Sequence, residues 1–108
     1  MFQFAAVEAV SKEVLVNTET VISCKITGIT EPMSIEWSGF TEGSNFDAKQ
    51  GSHDPNSNSQ TGTLTVKSDA VKSDLTYTCS VSSSTNKNSA VKTTDVYLNV
   101  YGRNSHHT

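Results

Sequence analysis

Residues 75–81 read LTYTCSV, and the alternation within this stretch decides the fold class of the chain. Its apolar and cysteine positions share one parity and its hydroxyl residues take the other, as on a β-strand with one buried face. VISCKIT (residues 21–27) repeats the pattern and carries the only other cysteine, Cys24. Cys24 and Cys79 are therefore both predicted to point from a strand into the apolar core.

The same alternation recurs along the chain, whereas no segment of eleven or more residues has the spacing of an amphipathic helix. Six or seven short strands are predicted, around residues 4–10 and 13–17 and then at 20–26, 33–39, 62–68, 75–81 and 95–101. The polar segments 43–62 and 82–89 are predicted to be exposed connections, the first with one or two weak edge strands or none. The sequence therefore predicts a single all-β domain.

Inward parity also defines the predicted core. Its members are Ile22, Ile26, Ile35, Trp37, Leu64, Val66, Leu75, Tyr77, Val81, Val96 and Leu98. Leu64 and Val66 are the only inward apolar residues of the strand at 62–68, so the burial of Leu64 tests the parity of that strand.

Length, composition and charge limit the functional classes. A chain of 108 residues, 34% of them apolar, is long enough for one domain and too short for two. The 30 serine and threonine residues suit exposed β-surface and turns. A net charge of −3 and a pI near 5.5 argue against nucleic acid or an anionic membrane as the partner. Direct membrane insertion is not expected, because no apolar run approaches the roughly 20 residues of a spanning helix.

The two cysteines leave three chemical interpretations. A zinc site needs four ligands, and the nearby candidates are His53 and scattered carboxylates without paired spacing. A redox site favours Cys-x-x-Cys, which is absent. A disulfide between Cys24 and Cys79 remains, and their shared inward parity supports it. Such a bond would contribute roughly 4 kcal/mol on the chain-entropy model and would place the protein in an oxidising compartment, extracellular or periplasmic.

Cys24, Trp37 thirteen positions later, and Tyr77 two positions before the second cysteine resemble the signature of the immunoglobulin superfamily. The resemblance spans residues 4–101 and implies a sandwich of two antiparallel sheets, about seven strands and one disulfide between the sheets. It also implies that Trp37 packs on the disulfide. The Tyr77 hydroxyl is then expected to bond to the backbone of the turn around residues 68–74.

The subtype indicated is a short constant-like or intermediate domain, similar to modules repeated in extracellular proteins of invertebrates. CKITGITEPMSIEW (residues 24–37) has the glycine and proline that follow the first cysteine in constant-type domains. Ser73 stands where variable and intermediate types place an aspartate, with Asp74 one position late, and no arginine precedes Arg103. The 42 positions from Trp37 to the second cysteine leave little room for two extra strands.

Residues 1–101 are assigned to this domain, and the tail at 102–108 is interpreted as an expression remnant that includes His106 and His107. No set of serine, histidine and aspartate can be assembled for nucleophilic catalysis, and no glycine-rich phosphate loop is present. His53, in a polar loop, is interpreted as solvated rather than metal-binding. The sequence therefore predicts neither an enzyme nor a bound cofactor.

Two functions are compatible with the immunoglobulin resemblance. The first is an extracellular or cell-surface module for protein–protein recognition or cell adhesion, as in receptors and immune-type recognition proteins. The second is a structural spacer in a larger multidomain ectodomain. An enzyme or an inhibitor is the least favoured class. Because a fold does not specify a function, the choice between the first two depends on the surface of the domain.

The candidate binding surface is the outer face of the tryptophan-bearing sheet. Parity places Glu36, Thr78 and Tyr97 on this face among short polar side chains, and Phe40, just beyond a strand, is expected to reach the same side. Tyrosine is favoured at interface centres because it buries a large area at low entropic cost. The loop at 82–89 is the alternative binding site. The expected partner is a protein, either another immunoglobulin-like domain or a second copy of this chain.

Overall fold

The computed structural model of the chain describes residues 6–41, 43–83 and 92–102. Within these ranges the fold is carried by eight β-strands. In chain order they are β1 (Ala6–Ala9), β2 (Lys12–Leu15), β3 (Thr20–Thr27), β4 (Met33–Ser38), β5 (Phe46–Lys49), β6 (Ser59–Val66), β7 (Leu75–Ser83) and β8 (Lys92–Tyr101). A single 3₁₀ turn, Ser68–Ala70, lies between β6 and β7. Every strand predicted from alternation is present.

The strands form two four-stranded sheets, ordered β1-β3-β6-β5 and β2-β8-β7-β4. Neighbouring strands run antiparallel, except that the short β2 pairs in parallel with β8. The predicted fold class, an all-β immunoglobulin-like sandwich of two sheets with one disulfide between them, is confirmed.

The core lies between the sheets and is filled by the inward positions of the strands. Ten of the eleven predicted core residues are buried, and the exception, Leu75, is half-buried at the first position of β7. Leu64 is fully buried and faces Ile22 across the β3–β6 ladder. The core also contains five apolar residues beyond the prediction, namely Val14, Ile29, Met33, Val71 and Val100.

A disulfide joins Cys24 of β3 to Cys79 of β7, with a Cα–Cα distance of 6.5 Å, and it ties one sheet to the other. Trp37 of β4 lies directly opposite Cys79 in the ladder and is 8% exposed. Opposite residues of an antiparallel pair have Cβ atoms about 5 Å apart, so the indole lies beside the disulfide. The predicted disulfide is confirmed.

The prediction of an exposed connection at 43–62 is wrong over its last four residues, because β6 begins at Ser59. Gln60 is only 3% exposed, since its amide bonds to the backbone of Met33 in the facing sheet. The sheets approach so closely here that a Cβ at position 62 would lie 2.7 Å from Ile35 Cγ2, which explains the glycine. β5 is the weak edge strand that the sequence allowed. Most of the other predicted connection, from residue 84 to residue 89, lies outside the described residues.

Candidate functional site

The outer face of the β2-β8-β7-β4 sheet is formed by the side chains that alternate with the buried core positions. Glu36 of β4, Thr78 of β7 and Tyr97 of β8 all lie on it. Because β7 and β8 are the central strands, Thr78 and Tyr97 occupy the middle of the face, while Glu36 lies at its β4 edge. Ser34 has the same outward parity on β4 as Glu36 but is buried.

Tyr97 is the aromatic residue nearest the middle of this face. It lies opposite Thr76 of β7, and its main-chain N–H donates to Ser11 Oγ at 3.0 Å. The side chain is nevertheless half exposed, at 50%, although β8 has a neighbouring strand on each side. Because the backbone of Tyr97 is fixed in this way, binding would need to order only the two side-chain torsions of a residue with a large contact area.

Leu15 and Tyr101 extend the apolar surface beside Tyr97. They are opposite partners in the parallel β2–β8 ladder and are 47% and 56% exposed. Tyr97 and Tyr101 point to the same side of β8, about 13 Å apart at the usual rise of a strand. Alternation within 95–101 could have placed Tyr101 on the same face as Tyr97. No signal in the sequence places Leu15 there, because its position depends on the pairing of β2 with β8.

The electrostatic character of the face is acidic. Glu13, Asp95 and Glu36 supply three carboxylates, and Asp95 Oδ1 accepts a hydrogen bond from Thr78 Oγ1 at 2.9 Å. Within the described residues of these four strands, no lysine or arginine occupies an outward position. Lys12, in β2, donates through its ammonium to the Val21 carbonyl of the other sheet. An exposed apolar group is thus combined with negative charge.

The expectation that Phe40 reaches this face is wrong. Gly39, with φ of 102°, turns the chain as β4 ends, and a Cβ there would lie 2.7 Å from the carbonyl oxygen of Thr76. Phe40 is then directed to the end of the sandwich, where it stacks on Phe46 with ring centroids 4.7 Å apart. It also meets the ring of Tyr77 edge-on at 6.2 Å. Burial in this aromatic cluster outweighs exposure on the outer face.

The predicted hydrogen bond from the Tyr77 hydroxyl to the turn around 68–74 is also wrong. The side chain is fully buried, and its hydroxyl has no hydrogen-bond partner among the described residues. The turn bonds within itself and to Asn17, whose N–H donates to the Val71 carbonyl at 2.8 Å. Burial raises the pKa of the Tyr77 hydroxyl above its ordinary value of 10.0.

The substitution Tyr77→Phe is expected to raise the free energy of unfolding by about 1 kcal/mol, because it removes a buried hydroxyl that makes no bond. A hydroxyl bonded to the turn would give the opposite sign, a loss of about 1 kcal/mol. Urea denaturation of the two proteins at neutral pH measures the difference. A clear loss of stability in Tyr77→Phe would mean that the hydroxyl does make the hydrogen bond predicted from the sequence.

The same hydroxyl makes stability fall in alkali. Its pKa is higher in the folded chain than in the unfolded chain, so above the unfolded value near 10.0 the folded state holds the proton more tightly. The contribution of Tyr77 is therefore complete below that pH and is lost as the pH rises through the folded pKa. Denaturation between neutral pH and pH values above 10 should show this loss, and Tyr77→Phe should reduce it. An identical alkaline slope in the two proteins would contradict the assignment.

His53, interpreted from the sequence as solvated, is instead partly buried and makes a structural contact. His53 Nε2 lies 3.0 Å from the Ile29 carbonyl, which fixes the segment before β6 against the turn before β4. Asp54 forms an isolated bridge with Ser59. In the described ranges, no three His, Cys, Asp or Glu side chains come together as a set that could hold a metal ion.

Comparison with known proteins adds no family assignment. No protein-family model matches the chain, and no curated protein is significantly similar to it. None of the described segments forms a helix of the length and apolarity that crossing a membrane requires. The functional argument therefore depends on the disulfide-linked sandwich and on the chemistry of its acidic, tyrosine-bearing face.

Proposed function

We propose that this chain is an immunoglobulin-superfamily module of an extracellular or cell-surface protein, and that it recognises another protein in adhesion or in immune-type recognition. Support comes from the strand order, from the disulfide between the sheets and from Trp37 beside that disulfide. A disulfide that crosslinks a small β domain suits an oxidising compartment.

The observation that carries the proposal is the exposed apolar group on the outer sheet face. A solvated antiparallel face needs only polar side chains, and about half of the outward positions of this one are serine or threonine. Against that background Tyr97, Leu15 and Tyr101 are each about half exposed on two adjacent strands. Interface centres are enriched in tyrosine, which combines apolar area with a hydroxyl that can bond to the partner.

The charge on the face defines the partner further. Glu13 and Asp95 lie on the same two strands as the apolar group, and no lysine or arginine occupies a described outward position of the sheet. Two copies meeting through this face would oppose carboxylate to carboxylate, which is unfavourable. The proposed partner is therefore a different protein, with lysine or arginine around an apolar centre.

The experiment is a binding screen with tetramers of the domain against an array of cell-surface ectodomains. For any ectodomain that binds, Tyr97→Ala should weaken the affinity tenfold or more, which corresponds to about 1.4 kcal/mol at a hot spot. Association should also slow as the salt concentration rises, because acidic and basic surfaces attract each other at long range.

Val21→Ala is the matched control, because Val21 is an exposed apolar residue on the outer face of the other sheet. It should leave the affinity unchanged. Equal loss in both variants would remove this face from consideration. If no ectodomain binds and sedimentation shows no self-association, the spacer function replaces the proposal.

A further inference from the structure

The free edge of β4 is closed along half of its length by side-chain amides. Gln60 Oε1 accepts from the Met33 N–H at 2.8 Å, and Gln60 Nε2 donates to the Met33 carbonyl at 3.0 Å. Gln50 Oε1 accepts from the Ile35 N–H at 3.0 Å. Gln60 Nε2 also donates to the Gln50 carbonyl at 3.0 Å, so Gln60 holds the backbone of Gln50 near β4. These amides take the place that the backbone of a neighbouring strand would occupy.

In the remaining half of this edge, the main-chain groups also point away from β7, but no described side chain bonds to them. In an antiparallel pair, alternate residues direct both main-chain groups toward the partner strand, and the residues between direct theirs away. The bonds to glutamine show that Met33 and Ile35 are of the second kind relative to β7, and Trp37 follows at the same spacing. Among the described residues, nothing bonds to the Ile35 carbonyl or to either main-chain group of Trp37 on this side.

These uncovered groups adjoin a recess of about 430 Å³ between β4 and β5, a volume in the usual range of ligand sites. The strand edge forms one wall, and Phe40, Ala48 and Gln50 form the other side. A second recess of about 260 Å³ shares Phe40 and Ala48 and continues to Phe46. The site therefore offers one main-chain donor and two main-chain acceptors on one side and apolar side chains on the other.

We propose that this edge site, formed by the free main-chain groups of Ile35 and Trp37 together with Phe40, Ala48 and Gln50, binds an extended peptide segment of another protein. The segment adds to β4 as a short strand. One donor and two acceptors in strand geometry match an extended backbone, which supplies the complementary groups at the same spacing. An apolar side chain of the peptide would contact Phe40 and Ala48, and this contact would provide selectivity.

A second copy of the folded domain suits this site less well than a single segment. The open edge extends only from Ile35 to Trp37, since Gln60 closes one end and the turn at Gly39 ends the strand at the other. Ala48, from the facing sheet, bounds the recess, so an incoming strand must enter between two sheet edges. A free peptide can do so, whereas a strand within a sheet brings its neighbours with it.

The edge site and the exposed apolar group of the tyrosine-bearing face lie at opposite edges of the same sheet, since the first is on β4 and Leu15 is on β2. Among the residues that the structure describes, Glu36 is the one that belongs to the acidic face and also lines the recess. Because the tests of the two proposals use Tyr97 and Ala48 rather than Glu36, each proposal can fail without the other.

Amide hydrogen exchange of the free domain gives the first test. The Trp37 amide should exchange at least tenfold faster than the Ile35 amide, because Gln50 protects the latter. Equal protection of the two amides would mean that the edge is already closed, and would overturn the proposal.

The second test uses end-capped heptapeptides that alternate threonine with one apolar residue, either valine, leucine, isoleucine or phenylalanine. At about 1 mM, at least one of them should slow exchange of the Trp37 amide tenfold or more and shift its nuclear magnetic resonance signal. The same peptide with N-methylated central residues should have no effect, since it cannot complete the ladder. Failure of all four peptides, or equal activity of the methylated form, overturns the proposal.

Ala48→Lys fills the mouth of the recess at an exposed position and should abolish the effect of the peptide. Ser23→Lys adds the same charge at an exposed position of the same sheet, away from the recess, and should not. Equal inhibition by the two variants would assign the effect to charge. Protection of Trp37 that rises with protein concentration without any peptide would assign the edge to a second copy instead.

Discussion

Replacement of both cysteines, Cys24→Ala with Cys79→Ala, is expected to lower the free energy of unfolding by about 4 kcal/mol. The bond closes a loop with a sequence separation of 55 residues, and the chain-entropy model gives this value for a loop of that length. A domain of this size has a total stability of about 5–15 kcal/mol, so the loss removes a large share of it.

Urea denaturation at neutral pH measures this loss through the midpoint of the transition. The slope of the transition should rise as well, because an unfolded chain without the crosslink exposes more surface. Reduction of the parent protein by dithiothreitol should give the same loss, and should not affect the double variant. A change below about 1 kcal/mol would mean that the sandwich is held by its core alone and that the disulfide contributes little.

Much of the fold was predictable because its decisive signals are local. In β7 the alternation of Tyr77 and Cys79 with threonine shows which side is buried, and a strand with one buried face can take only one register. Trp37 and Leu64 follow the same rule on β4 and β6, and both are buried. These positions needed no knowledge of which strands are neighbours.

The errors arose where burial depends on contacts distant in sequence. Gln60 lies in a polar stretch that reads as a loop, yet it is buried because its amide meets the backbone of Met33, 27 residues away. Phe40 lies two residues beyond the end of β4, where the alternation of the strand no longer predicts the direction of a side chain. The turn at Gly39 directs the Phe40 ring to the aromatic cluster instead. The hydrogen bond of the Tyr77 hydroxyl was predicted from the resemblance to immunoglobulin domains. The resemblance predicted the burial of the ring correctly but not the hydrogen bond, which depends on the conformation of the turn.

The candidate face was predictable in part for the same reason. Glu36, Thr78 and Tyr97 lie on it because each belongs to a strand with clear alternation. The position of Leu15 on the face could not be predicted in this way, because β2 is only four residues long and its parallel pairing with β8 is a tertiary contact. The acidic character of the face likewise appears only when Glu13 and Asp95 are brought to one side by that pairing.

The substitution Leu64→Ala is expected to lower the free energy of unfolding by about 2–5 kcal/mol. Leu64 is fully buried and lies opposite both Ile22 of β3 and Ala48 of β5, so the sheet holds its backbone from two sides. A strand fixed on both sides cannot easily move into the space that the side chain leaves, and an unfilled cavity adds to the lost transfer energy. The loss of unfolding free energy should therefore lie in the upper part of this range.

Thr61→Ala is the matched control, because Thr61 lies on the same strand with an exposed side chain. Thr61→Ala should lower the free energy of unfolding by less than about 1 kcal/mol, which is the full range of β-strand propensity between residue types. Both variants are measured by urea denaturation, with the slope checked for two-state behaviour. A loss within about 0.5 kcal/mol for Leu64→Ala would place its side chain at the surface. Because neighbouring residues of a strand face opposite ways, that outcome would reverse the parity of β6, and with it the burial of Val66 and the close approach at Gly62.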